Sequence, residues 1–120
     1  MGTLTNKVFW YWELFNDDYG VQFEKNDGFK YLNALINEKE RLWFFVEEKR
    51  EEPKFWVYEG TINSIQKVIK ESTPFEYYIV SKKFDWVICE NHHGYLIAAG
   101  DSMIGKLKQY ERLLFNYHEN

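Results

Sequence analysis

Apolar side chains recur at helical spacing from the start of the chain. Leu4, Val8, Tyr11 and Phe15 fall three or four residues apart and Trp12 widens the stripe, which predicts an amphipathic helix over 4–16. Asn16-Asp17-Asp18-Tyr19-Gly20 ends it, and Asn26-Asp27-Gly28 reads as a turn. Phe29, Leu32, Leu35 and Ile36 repeat the spacing in a second, shorter helix that Asn26 or Asp27 is placed to cap. From residue 41 the pattern changes. Leu42-Trp43-Phe44-Phe45-Val46 is apolar on both faces, as a buried strand is, and Phe55-Trp56-Val57-Tyr58 returns after the charged run Glu47 to Glu52. A helix then runs from Gly60-Thr61 to about Ser72 on an inner stripe of Ile62, Ile65, Val68 and Ile69.

Three strand-like runs follow: Phe75–Val80, Phe84–Glu90 and Tyr95–Ala99. Short gaps between them predict a β-meander. An even first gap puts Phe75, Tyr77 and Ile79 on one face with Trp86 and Ile88. The four-residue loop Asn91-His92-His93-Gly94 then adds Tyr95, Ile97 and Ala99 to that face, and the other carries Glu76, Tyr78, Asp85, Val87 and Cys89. The last helix is capped by Asp101 or Ser102. Its stripe is Met103, Leu107, Tyr110, Leu114 and Tyr117, and at about 1.5 Å per residue it is long enough to cross the sheet. The expected fold is a single α+β domain over residues 1–120. It holds a mainly antiparallel sheet of about five strands, a hairpin plus a meander, in the order α-α-β-β-α-β-β-β-α.

Composition narrows the function classes. Aromatic residues make up 20% of the 120, more than a core of this size consumes, so some are expected at the surface as contact residues. Net charge is −4, and the excess is one-sided: residues 1–60 hold twelve acids against eight bases, residues 61–120 seven of each. That balance argues against a nucleic-acid binder and for a partner attracted to acidic surface. The lone cysteine, Cys89, forms no internal disulfide and suits a reducing cytoplasm. No run of about 18 apolar residues is present, and the first residues lack the basic-then-apolar pattern of a signal peptide. Gly2 suggests myristoylation, but Asn6 stands where that motif needs Ser or Thr.

Chemistry-bearing motifs are sparse. There is no G-x-S-x-G, C-x-x-C, H-E-x-x-H or Gly-rich phosphate loop, so no catalytic residue, metal or cofactor is expected. The one dense polar group is Glu90-Asn91-His92-His93-Gly94. As a turn, Asn91 bonds its own backbone and Gly94 supplies positive φ. As a site, Glu90, His92 and His93 stand at the mouth of a pocket. His92-His93 with Asn116 and His118 superficially resembles the histidine-asparagine-histidine nucleases, but the second half falls on a helix with core spacing. Ser81-Lys82-Lys83 reads as a solvated hairpin turn.

The block Phe75-Glu76-Tyr77-Tyr78-Ile79-Val80-Ser81-Lys82-Lys83-Phe84-Asp85-Trp86-Val87-Ile88-Cys89-Glu90-Asn91-His92-His93 resembles the signature of a family of small uncharacterised bacterial proteins. The resemblance spans the last two-thirds of the chain and implies a bacterial origin. In size and texture the chain also resembles the immunity proteins that neutralise bacterial toxins, which are small, acidic, cytosolic α+β domains. The expected function is non-enzymatic protein binding by surface occlusion, with a toxin as the model partner. Candidate contact residues are Trp56, Tyr58, Tyr78, Asp85, Glu90, His92 and His93. The alternatives are a small-ligand binder or enzyme built on Glu90, His92 and His93, and a subunit that self-associates through its aromatic face.

Overall fold

Residues 42–47 carry large apolar side chains on both faces, and such a strand is stable only in the interior of a sheet. That is where it lies. The computed structural model describes residues 17–24, 27–47, 55–72 and 76–119, of which Phe55 and residues 115–119 are described by backbone alone. The strands are β1 (Asp18–Gln22), β2 (Leu42–Glu47), β3 (Phe55–Gly60), β4 (Glu76–Ser81), β5 (Val87–Glu90) and β6 (Tyr95–Ala99). They form one antiparallel sheet in the order β1-β6-β5-β4-β2-β3. A 3₁₀ turn (Gly28–Tyr31) leads into the short helix α1 (Leu32–Leu35), and α2 (Ile62–Ser72) and α3 (Asp101–Glu119) complete the described helices. The α+β class holds. The expected first helix, 4–16, lies outside the described residues.

The sheet has a strand more than the pattern suggested. β1 carries Asp18, Gly20 and Gln22 on one side and Tyr19 and Val21 on the other, too weak an alternation to stand out. Its pairing with β6, Asp18 opposite Ala99 through Gln22 opposite Tyr95, is a tertiary event. The first meander gap is even, as expected. Ser81 N–H bonds the Trp86 carbonyl across the four-residue loop 82–85, and Tyr77 and Ile79 share the covered face with Trp86 and Ile88. The strand itself starts only at Val87, because Phe84 adopts a left-handed φ of 58° in that loop. The second gap differs from expectation. Asn91, not Glu90, pairs with Tyr95: its N–H bonds the Tyr95 carbonyl, Gly94 N–H bonds the Asn91 carbonyl, and Gly94 takes φ 85°. This three-residue loop shifts β6 by one position. Leu96 and Ala98 therefore join Ile88 on the covered face, and Tyr95, Ile97 and Ala99 go to the other.

All described helices pack on one face. Ile62, Ile65 and Ile69 of α2, Leu32 and Leu35 of α1 and Met103 and Leu107 of α3 join Val21, Leu42, Phe44, Val46, Tyr77, Ile79, Ile88, Leu96 and Ala98 in the main core. Helix α3 docks chiefly on β1, β6 and α1, so it covers one side of the sheet and does not cross all of it. Its N-terminal cap is Gly100, not Asp101 or Ser102, since the Gly100 carbonyl accepts the N–H groups of Met103 and Ile104. Gly100 has φ +96°, and a Cβ there would lie 2.4 Å from the Asp85 carbonyl oxygen. Only glycine lets the helix start so close to the 82–86 turn. At α1, Asp27 stands before the 3₁₀ turn but its side chain caps nothing; it pairs instead with Lys30 Nζ at 2.6 Å.

Candidate functional site

Trp56 and Tyr58 sit two residues apart on β3, so they project from the same face. Their cross-strand partners are Val46 and Phe44, which places them on the helix-covered side of the sheet. Yet they are 46% and 45% exposed, whereas Phe44 and Val46 are buried. The difference is position: β3 is the edge strand, where the cover given by the helices runs out. The Tyr58 ring rests 6.0 Å from that of Phe44, which ties the exposed aromatic to the core. Beyond β2, the outer side of β3 has no strand among the described residues.

On the opposite face the same edge is charged and self-paired. Glu59 is reached by Lys82 Nζ at 2.8 Å and Arg41 Nε at 3.6 Å, and the two cations hold its carboxyl below the ordinary range, the Lys82 bond most. Lys82 Nζ also sits 3.6 Å from the centre of the Trp43 ring. Lys82 thus closes the edge next to Trp43 and leaves little charge there for a separate anion.

The polar hairpin tip divides between the two faces. Glu90 is buried on the covered side, accepting from Tyr77 Oη at 2.7 Å and from Gly28 N–H at 3.2 Å. It accepts from the first N–H of the 3₁₀ turn, the capping role expected of Asp27; Asn26, the other expected cap, lies outside the described residues. Burial raises its carboxyl above the usual range, opposed by the Tyr77 and Gly28 hydrogen bonds. His92 points to the other side. Its Nδ1 lies 2.8 Å from Glu76 Oε2, and its backbone N–H reaches the same oxygen at 3.4 Å. His93 is exposed and its ring centre is 3.9 Å from that of His92. Asn91 Oδ1 accepts from His93 N–H at 3.0 Å and Tyr95 N–H at 3.1 Å, the turn function foreseen for it.

Glu90 and the histidines therefore do not line one pocket mouth. The acid that meets His92 is Glu76, and directly across β2–β4 from Glu76 stands Glu47. The Glu47 carboxyl is raised, chiefly by burial and next by the charge of Glu76. Of the two acids, Glu76 suggests itself from the sequence as a further ligand beside the histidines; Glu47 does not, and no local signal marks it, because the pairing spans 29 positions of sequence. Among the described residues, no group of three or more His, Cys, Asp or Glu side chains is placed to hold a metal ion.

The remaining candidates, Tyr78 and Asp85, are engaged within the fold. Tyr78 is half-buried on the second face, over Cys89, with which it shares a hydrogen bond, and burial pushes both groups well up. An alkaline-shifted, buried thiol is a poor nucleophile. Asp85 folds back on its own loop: its carboxylate accepts from Ser81 Oγ, and its N–H donates to that oxygen at 3.0 Å.

This chain belongs to a family of unknown function, DUF6756. The match covers residues 3–111, and every candidate above falls within it. Expected membership of an uncharacterised family thus holds, over more of the chain than the quoted block. No curated protein and no solved structure matches the chain. No described helix is long and apolar enough to cross a membrane.

Proposed function

We propose that the protein is a non-enzymatic protein-binding domain whose contact surface is the outer edge of β3, with Trp56 and Tyr58 as its anchors. The observation that carries the reading is that two large aromatics stay nearly half-exposed beside a strand edge that no described strand occupies. Edge strands are normally blunted by lysine, proline or a bulge. The β3 sequence, Phe-Trp-Val-Tyr-Glu-Gly, has none of the first two, and its one charge is engaged by Arg41 and Lys82. The fitting occupant is an extended segment of a partner protein. Main-chain hydrogen bonds supply its affinity, and the aromatic pair supplies its specificity. The acidic first half of the chain favours a partner with a basic rim. We place this binding in a bacterial cytoplasm, as an inhibitor that occludes its target in the manner of an immunity protein.

The test is a photo-crosslinking residue at position 56, followed by titration of the purified captured protein. Trp56→Ala with Tyr58→Ala should weaken binding by at least about thirtyfold, since interface anchors carry about 2 kcal/mol or more. The melting temperature should change little. A double variant that binds the captured protein as tightly as the parent overturns the reading. A captured protein that is a second copy of the chain would replace occlusion by self-association through the same edge.

A further inference from the structure

The exposed edge of β3 is close to symmetric in sequence. Trp56 and Tyr58 flank Val57 on the helix-covered side of the sheet, and Val57 and Glu59 alternate with them on the other side. Such an edge matches a copy of itself. A two-fold axis normal to the sheet makes two β3 strands antiparallel and keeps each face on its own side. Opposed residues then share a face, so the axis must pass through a residue and not between two. With the axis through Val57, Trp56 falls opposite Tyr58 of the second copy, and Tyr58 opposite its Trp56. Val57 meets Val57, and Glu59 falls opposite position 55, a phenylalanine. No like charges are opposed, and both exposed aromatics gain a cross-strand ring. An axis through either aromatic pairs that residue with itself and leaves the other facing no ring.

We propose that, with no partner bound, β3 pairs reversibly with β3 of a second copy, antiparallel about Val57, so that self-pairing and partner binding compete for one edge. The inference rests on the reading of β3 as the contact surface and adds its regulation. The edge is open to such pairing because its one charge, Glu59, is held by Lys82 and Arg41 on the side away from the aromatics. The opposite edge of the described sheet, β1, opens on Asp18 and carries Gly20, residue types that disfavour strand pairing. A contact from β3 to β1 of another copy would also leave both outer edges free and would not close into a dimer. Area sets the strength. Trp56 and Tyr58 are 46% and 45% exposed, which leaves about 70–110 Å² of each in water, or about 300–450 Å² over two copies. Stable interfaces bury about 1,200–2,000 Å² in total. Five opposed main-chain positions add to the aromatic area but leave the contact at the small, reversible end of that scale. Two chains of net charge −4 also repel each other. The pair therefore forms at high chain concentration, and at the low concentration of a capture experiment the edge is free for a partner protein.

Sedimentation equilibrium of the full wild-type chain from about 10 μM to about 1 mM measures the pairing without a substitution. A reversible monomer–dimer equilibrium is expected in that range, and it should tighten as salt screens the repulsion. A chain that stays monomeric throughout, or that polymerises beyond a dimer, overturns the proposal. Single cysteines read the register, because opposed residues of an antiparallel pair have Cα atoms about 4.5–5.5 Å apart, within disulfide reach. Under mild oxidation at high chain concentration, Val57→Cys should give a disulfide-linked dimer and Glu59→Cys should not; the native Cys89 is buried. A wild-type dimer whose Val57→Cys variant folds but does not cross-link lies elsewhere on the surface and overturns the proposal. Should Val57→Cys unfold the chain, hydrogen exchange of the wild type locates the contact. Exchange over 56–60 should slow at the high concentration, and unchanged exchange there in a dimer is the refuting result. Competition is tested with the protein captured at position 56. The Val57→Cys disulfide dimer should bind it at least about tenfold more weakly than the reduced form. Equal binding by both forms removes the competition and the β3 contact surface together. A monomeric chain that still loses this partner through Trp56→Ala with Tyr58→Ala sinks the self-pairing alone.

Discussion

Replacing Glu90 tests the most buried charge-bearing group in the described structure. Each of its oxygens has a separate donor, Tyr77 Oη on Oε1 and Gly28 N–H on Oε2. Glu90→Ala removes both acceptors at once. Each buried donor left without a partner costs about 1–3 kcal/mol. Relief of the desolvated carboxylate offsets part of that, so the net loss should be about 2–4 kcal/mol. With a urea slope of about 1–3 kcal/mol per M, the unfolding midpoint falls by about 1–4 M. Glu90→Gln should cost less than about 1 kcal/mol, because its carbonyl accepts from Gly28 while its amide donates to the Tyr77 hydroxyl oxygen. The protonated acid makes the same two contacts, which is how the site accommodates a carboxyl raised by burial. The raised value sets the pH dependence. The folded state holds the Glu90 proton more tightly than the unfolded chain, whose ordinary value is 4.5. The contribution of Glu90 to stability is therefore complete below about pH 4.5 and is lost as pH rises through the folded-state value. Glu47 is raised as well, so the wild-type profile alone does not isolate Glu90. The difference between Glu90→Gln and wild type does, and it should move in favour of the variant as pH rises from 4 to 8. Urea titrations followed by tryptophan fluorescence measure it. Parallel pH profiles for the two proteins, or a Gln variant as damaged as the Ala variant throughout, would refute the buried, doubly bonded carboxyl.

Leu107→Asp puts an unpaired charge under α3, where Leu107 is buried against the sheet, and should cost about 3–5 kcal/mol in the same titration. Gly100→Ala should be comparably damaging, since its Cβ meets the Asp85 carbonyl oxygen at 2.4 Å on a backbone with φ +96°; a melt like the parent's would place the helix start elsewhere. Tyr78→Ala, half-buried over Cys89, should destabilise by about 2–3 kcal/mol as a truncation in the second core, measured by thermal unfolding, and should leave partner binding in the folded fraction unchanged. His92→Ala removes a part-exposed pairing with Glu76 and should shift the melting temperature by no more than a few degrees.

Elements with strong local patterns were legible from the residues alone. The stripe Ile62, Ile65 and Ile69, the apolar run 42–46 and the spacing Met103–Leu107–Tyr110 each repeat at the period of one structure, and burial in the fold follows that repeat. The even register of the first meander hairpin was equally readable, because a slip would have inverted a strand whose faces differ. Trp56 and Tyr58 were named for their chemistry, and nothing local distinguished them from Phe44 and Phe45. Their exposure follows from β3 standing at the sheet edge, a fact of strand order that requires β2 to pair with β4, Leu42 with Ser81 through Glu47 with Glu76. The same holds for β1, whose weak alternation is stabilised by a partner far along the chain, Asp18 pairing with Ala99 and Gln22 with Tyr95. The ENHH loop divided for a smaller reason: three residues with one left-handed glycine close the turn where four were expected, and strand pairing then sends Glu90 inward to Tyr77 while His92 turns to Glu76. Helix periods and hairpin turns are written over a few residues, so the sequence alone determines them. Strand order and the neighbours of a side chain arise from contacts between distant segments, and only the tertiary structure decides them.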